Sequence, residues 1–113
     1  MPPNWSVRLS EAAQKDFDDI FLWTAKQFGI EQARLYREVV LDALQTLQNG
    51  PDVIGTRTHA ALPSGIKILH VARSGKRGRH FIVLDGSVTG LVQVVRILHD
   101  SMDLARHIEP EQH

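Results

Sequence analysis

Apolar and polar positions follow two different periods along this chain, and the points where the period changes mark its elements. Trp5-Ser6-Val7-Arg8-Leu9 alternates residue by residue, the period of a short half-buried strand. From Ala13 the period lengthens, with Ala13, Phe17, Ile20, Thr24 and Phe28 recurring at helical spacings as one apolar stripe. Ser10 stands where an N-cap belongs, Glu11 lies in the first turn and Gly29 is a C′ residue, so a first helix is predicted over 10–28. A second begins near Ile30, with Ala33, Tyr36, Val40, Ala43, Leu44 and Leu47 on one face, and Asn49-Gly50-Pro51 stops it. So short a connection predicts an antiparallel helical hairpin.

An irregular crossing over 50–65, rich in Gly and Pro and long enough to be a contact surface, leads back to strand-like sequence. Ile66 to Arg73 and His80 to Asp85 read as strands joined by the basic turn Ser74-Gly75-Lys76-Arg77-Gly78-Arg79, and Gly86 to Gly90 turns into a last strand. That strand, Leu91 to Leu98, is rich in β-branched residues on both parities, as in a strand buried on both faces in the middle of a sheet. Beyond it, Asp100-Ser101 can cap a short helical turn that points Met102, Leu104 and Ile108 at the core, with Asp103 near its positive end. The expected fold is α+β and two-layer, β-α-α-β-β-β, with the helical hairpin on one sheet face. The other face has no helix of its own, so a partner is its expected cover.

Composition narrows this further. A chain of 113 residues is expected to be a single domain over 1–113. There is no cysteine, so disulfides and thiolate metal sites are excluded, and none of the 6 histidines forms a helical i,i+4 pair, so neither metal nor cofactor is expected. No apolar run is long enough to span a membrane, and Met1 to Trp5 lacks a leader pattern, so a cytoplasmic location is expected. A formal net charge of zero disfavours a dedicated nucleic-acid binder. The charge is nevertheless uneven: the helical half is mildly acidic, while Arg57, Lys67, Arg73, Lys76, Arg77, Arg79 and Arg96 make the strand-rich half basic.

The chain resembles the ParE branch of the RelE/ParE superfamily of bacterial toxins. The resemblance rests on Arg8-Leu9-Ser10-Glu11-Ala12-Ala13 with Asp16 to Ile20 and Trp23, on Gly29-Ile30-Glu31-Gln32-Ala33 through Leu47, and on Pro51-Asp52-Val53-Ile54-Gly55. Its most specific part is Arg96-Ile97-Leu98-His99 followed by Met102-Asp103-Leu104 and His107. The basic turn Ser74 to Arg79 is a departure that lengthens the first hairpin. The resemblance implies a small, mainly antiparallel sheet of order 1-4-3-2 and a short C-terminal helical turn. It also implies a toxin that stalls DNA gyrase and is held inactive in a hetero-oligomer by a ParD-like antitoxin, with sequence-specific DNA binding supplied only by that antitoxin.

Other members of the superfamily cleave messenger RNA on the ribosome, which needs a base, a cation and an acid. Lys67, Arg79, Arg96 and His99 are the candidates for such chemistry, whereas the single tyrosine, Tyr36, falls on the core stripe of the second helix. The alternative favoured here is a binding protein without catalytic residues, with Trp23, Arg73, Arg79, Arg96 and His99 as partner contacts and acidic antitoxin residues meeting the arginines. An antitoxin segment is expected to add a strand beside Ile66 to Arg73 and lay a helix across the hairpin. Arg96 and His99 lie on opposite strand parities and cannot share a groove unless the strand ends or bulges. Each also has a structural reading, Arg96 paired with Asp100 or Asp103 and His99 bonded to backbone at the strand end. Phe21, Trp23, Leu35 and Val39, off the main stripes, imply a wider core or a partner patch.

Overall fold

The structure, a computed structural model, describes residues 5–58, 62–73 and 75–101. Its strands are β1 (Ser6–Leu9), β2 (Ile66–His70), β3 (His80–Val88) and β4 (Leu91–His99); its helices are α1 (Glu11–Phe28) and α2 (Ile30–Thr46), the latter continued by a 3-10 turn over Leu47–Asn49. The sheet order is β1-β4-β3-β2, with β1 parallel to β4 and the other neighbours antiparallel. The two-layer α+β arrangement expected from the sequence is the one observed.

Local chemistry sets the helix ends. The Ser10 hydroxyl accepts the Ala13 N–H at 3.0 Å and donates to the Val95 carbonyl at 2.8 Å, so one side chain starts α1 and ties it to β4. Gly29 ends α1 and starts α2 at a φ of +97°, where a side chain is disfavoured. Its N–H bonds the Ala25 carbonyl at 2.9 Å and its own carbonyl takes the Ala33 N–H at 3.1 Å. A single residue therefore reverses the chain, and the hairpin follows.

The main core lies between the hairpin and the sheet. Ala13, Val40, Ala43, Leu44 and Leu47 meet Leu69, Val71, Ile82, Leu84, Val92, Val94 and Ile97. Val94 and Ile97 both reach this core although they are three apart, because a register shift opposite Val83 and Leu84 places an extra residue in β4 at Val95.

The other sheet face departs from expectation. Ile68, Val83 and Leu98 are buried there beneath Leu62 of the crossing, so the chain covers part of the face that was expected to be bare. Alternation sends every second residue of these strands to that side, and leaving the apolar ones in water costs more than folding the crossing over them. The same crossing closes part of the sheet edge. Arg57 pairs with Ile68 through N–H···O bonds of 2.9 and 2.8 Å, occupying at that point the place expected for an added partner strand.

Three boundaries also differ. β2 stops at His70 rather than Arg73, because the Ala72 N–H turns back to His70 Nδ1 at 2.9 Å and the Arg73 N–H to the Val71 carbonyl at 3.0 Å. β3 runs past Asp85 to Val88 through an irregularity containing Gly86, where a Cβ would collide with Pro51. Asp100, expected at a helix cap, instead gives its carboxylate to His70 Nε2 at 3.0 Å and Arg79 Nε at 3.1 Å. The expected C-terminal turn, with Met102, Asp103, Leu104 and Ile108, lies outside the described residues.

Candidate partner-binding groove

On the edge away from β3, β4 has no strand beside it beyond Val94, because β1 pairs only as far as Leu9. Helix α1 takes over that edge. The Ser10 N–H bonds the Val94 carbonyl at 2.9 Å, and Asp16 accepts the Ile97 N–H at 2.9 Å. The same Asp16 carboxylate receives Arg96 Nε at 2.7 Å and Nη2 at 3.0 Å, a bidentate pair that raises the already high pKa of the guanidinium. Arg96 thus turns round the open strand edge toward α1.

Arg96 and Asp16 form one wall of a cavity of about 300 Å³ that also meets Ile20, Trp23, His80 and His99. Trp23, His80 and His99 are shared with a larger cavity of about 660 Å³ between the hairpin and the basic turn. Together they make one groove. Its apolar side is formed by Trp23 and Phe28, 58% and 65% exposed, whose rings meet edge to face at 5.9 Å. Its opposite wall carries Lys76, Arg77 and Arg79, and no carboxylate lines this larger cavity among the described residues.

The end of the groove is tied by a hydrogen-bonded chain. The Tyr36 hydroxyl accepts the Arg79 backbone N–H at 3.0 Å and shares a hydrogen bond with His80 Nδ1 at 2.8 Å. Burial raises the tyrosine pKa, and burial together with nearby His99 lowers that of His80 to about 4. His99 stacks edge-on against His80 at 5.3 Å and receives the Ser101 N–H on Nδ1 at 3.1 Å. Arg79 completes the arrangement through Asp100, whose carboxylate His70 and Arg79 hold below its ordinary range.

The family model for the ParE toxin of the type II toxin–antitoxin system parDE matches residues 7–104. The chain belongs to the ParE toxin family. Toxin ParE1 of Caulobacter vibrioides is 27% identical over 101 residues, covering 89% of this chain and 95% of that protein. A solved structure described as the chromosomal ParDE TA system from P. aeruginosa is similar in fold, with a TM-score of 0.69 and 18% identity, over 84% of this chain and 95% of that one.

In this ParE-family chain, the residues singled out from sequence are distributed unevenly. Trp23, Arg79, Arg96 and His99 border the groove. Arg73 does not: its Nη1 donates to Thr46 Oγ1 of α2 at 3.1 Å, and its Nε is buried with no partner among the described residues. Lys67 is paired with Asp52 in a separate polar cavity lined by 52–58, so the four candidate catalytic residues are not brought together. Arg96 pairs with Asp16 and not with Asp100; Asp103, the other partner expected for it, lies outside the described residues.

Several groove residues escaped the sequence reading. Phe28 counted as a stripe residue and Tyr36 as core, yet Phe28 is exposed and the Tyr36 hydroxyl reaches the groove. His80, at the start of a strand, carried no spacing signal. Lys76 and Arg77 did not escape it: the basic turn that holds them reads equally as a partner contact or a solvated hairpin tip, and both side chains are exposed.

Proposed function

We propose that this chain is a toxin that stalls DNA gyrase in the cytoplasm and is neutralised by a ParD-like antitoxin whose segment lies in the groove. The observation that carries the neutralisation reading is the pairing of an exposed aromatic side, Trp23 and Phe28, with a basic wall on which Lys76 and Arg77 have no carboxylate partner among the described residues. Such a surface suits an amphipathic acidic segment, with apolar side chains on the rings and carboxylates on the cations. The cations open to that role are Lys76 and Arg77, since Arg79 and Arg96 already have carboxylate partners and Arg73 is turned onto α2. Gyrase as target rests on family membership. No helix among the described residues is long and apolar enough to cross a membrane, which accords with a cytoplasmic target.

The test is supercoiling by purified gyrase with this protein, with and without a ParD-like antitoxin. Inhibition with accumulated cleaved DNA, relieved by antitoxin, is the expected outcome. A folded protein that leaves gyrase unaffected would reject the target.

A second reading, ribosome-dependent cleavage of messenger RNA, draws on the convergence of Tyr36, His80, His99 and Arg79. These are acid, base and cation types suited to phosphoryl chemistry, although they differ from the set expected from sequence. Message cleavage in a translating extract, lost in His99→Ala, would replace the gyrase reading.

A further inference from the structure

The basic turn owes its place over the groove to contacts with the rest of the fold. At its far end the Arg79 backbone N–H ends on the Tyr36 hydroxyl, and the Arg79 side chain ends on Asp100. Gly78 passes so close to Tyr36 that a Cβ there would stand 2.9 Å from the hydroxyl oxygen and would collide with Val71. Tyr36 itself is fixed from the other side by His80 Nδ1. The hydroxyl therefore joins three elements: α2, which carries it, the turn, and the first residue of β3. Lys76 and Arg77 are three and two residues from that attachment and have no carboxylate partner among the described residues.

We propose that Tyr36 is the positioning residue of the groove. Its hydroxyl holds the basic turn where Lys76 and Arg77 meet the carboxylates of an acidic segment whose apolar side chain rests on Trp23 and Phe28. The inference deepens the neutralisation reading and rests on it. Without the hydroxyl, the Arg79 N–H loses its partner while its carbonyl keeps the Asp100 N–H at 2.8 Å, so residues 75–78 can lift about that end and the aromatic side is left intact. The energetic signature is electrostatic: preorganised cations strengthen binding and make it salt-sensitive, and a turn free to move loses part of both.

The test is titration of a ParD-like antitoxin with the wild-type protein, Tyr36→Phe, Lys76→Ala/Arg77→Ala, the triple variant and Trp23→Ala, each at two salt concentrations. Retained circular dichroism and a cooperative unfolding transition select the folded variants. Tyr36→Phe is expected to weaken binding on the order of ten-fold and to reduce its salt dependence. In the Lys76→Ala/Arg77→Ala background the same change is expected to cost less than about two-fold, because the hydroxyl acts through those cations. Equal losses in both backgrounds, or an unchanged salt dependence, would overturn the proposal. Trp23→Ala separates it from the reading beneath it. If Trp23→Ala weakens binding and Tyr36→Phe does not, only the positioning role fails; if Trp23→Ala is silent, the antitoxin lies elsewhere and both fail.

Discussion

Asp16 and Arg96 are 80 positions apart in sequence, and their bidentate pair, at 2.7 and 3.0 Å, closes the edge of β4 that lies away from β3 and that β1 leaves uncovered beyond Val94. Asp16 does two jobs there, because it also accepts the Ile97 N–H. Removing it leaves a part-buried guanidinium and the backbone N–H of the buried Ile97 without their partner. Asp16→Ala is therefore expected to cost about 2–3 kcal/mol, and Arg96→Ala less, since the carboxylate keeps its backbone bond. Urea unfolding checks this: the midpoint should fall further for Asp16→Ala than for Arg96→Ala, with similar slopes. The reverse order would show that the backbone contact is unimportant.

A second expectation concerns acid. Unfolded, His80 binds a proton near its ordinary pKa of 6.5; folded, it does so only near about 4. Between those values the unfolded chain holds more protons, so stability falls as pH drops from about 6.5 to about 4 and this contribution levels off below. The ring is only half-buried, which limits the expected loss to about 1–2 kcal/mol. Asp100, held below its ordinary 3.8 by His70 and Arg79, loses its own contribution at still lower pH. Unfolding midpoints measured from pH 7 to pH 4 should decline in the wild type and flatten in His80→Gln. An equally steep decline in that variant would place the titrating group elsewhere.

What the sequence discloses depends on how local the cause is. Ser10 and Gly29 could be read because a cap and a left-handed residue act within four positions of themselves. The central place of β4 could be read because burial on two faces leaves apolar residues on both parities. Leu62 could not, since the few apolar residues of a Gly- and Pro-rich crossing follow no period that would betray which of them is buried. Helical spacing gave Phe28 and Tyr36 their direction around the axis, but it cannot show where the sheet beneath a helix ends. Nor can it show that a hydroxyl on α2 meets an imidazole 44 residues later. Asp16 looked like any acid on a mildly acidic helix, and only the open edge of β4 gives it a purpose.

Gly86 offers a test of the crossing. A methyl group there would collide with the Pro51 ring, at the point where the crossing leaves α2 and passes β3. Overpacking of this kind is expected to cost about 1–3 kcal/mol in Gly86→Ala. Gly90, with no neighbouring atom within reach of a Cβ but a φ of +86°, is the comparison, because Gly90→Ala tests backbone strain alone. Thermal unfolding of the two variants should show the larger loss at Gly86. Equal losses would mean that the Pro51 contact yields easily.

Trp23 and Phe28 give the sharpest division between folding and function. Both are more than half exposed and touch each other, so truncating either removes little buried surface. Their alanine variants are expected to stay within about 0.5 kcal/mol of wild type in stability. Aromatic side chains that become desolvated at the centre of an interface behave very differently, and Trp23→Ala is expected to weaken antitoxin binding roughly ten- to hundred-fold. Phe28→Ala should lose less, because Trp23 lines both cavities of the groove and Phe28 only one. Calorimetric titration beside an unfolding curve for each variant measures both quantities. A large stability loss in Trp23→Ala would make the ring part of the fold, and unchanged affinity would move the antitoxin off this side of the groove.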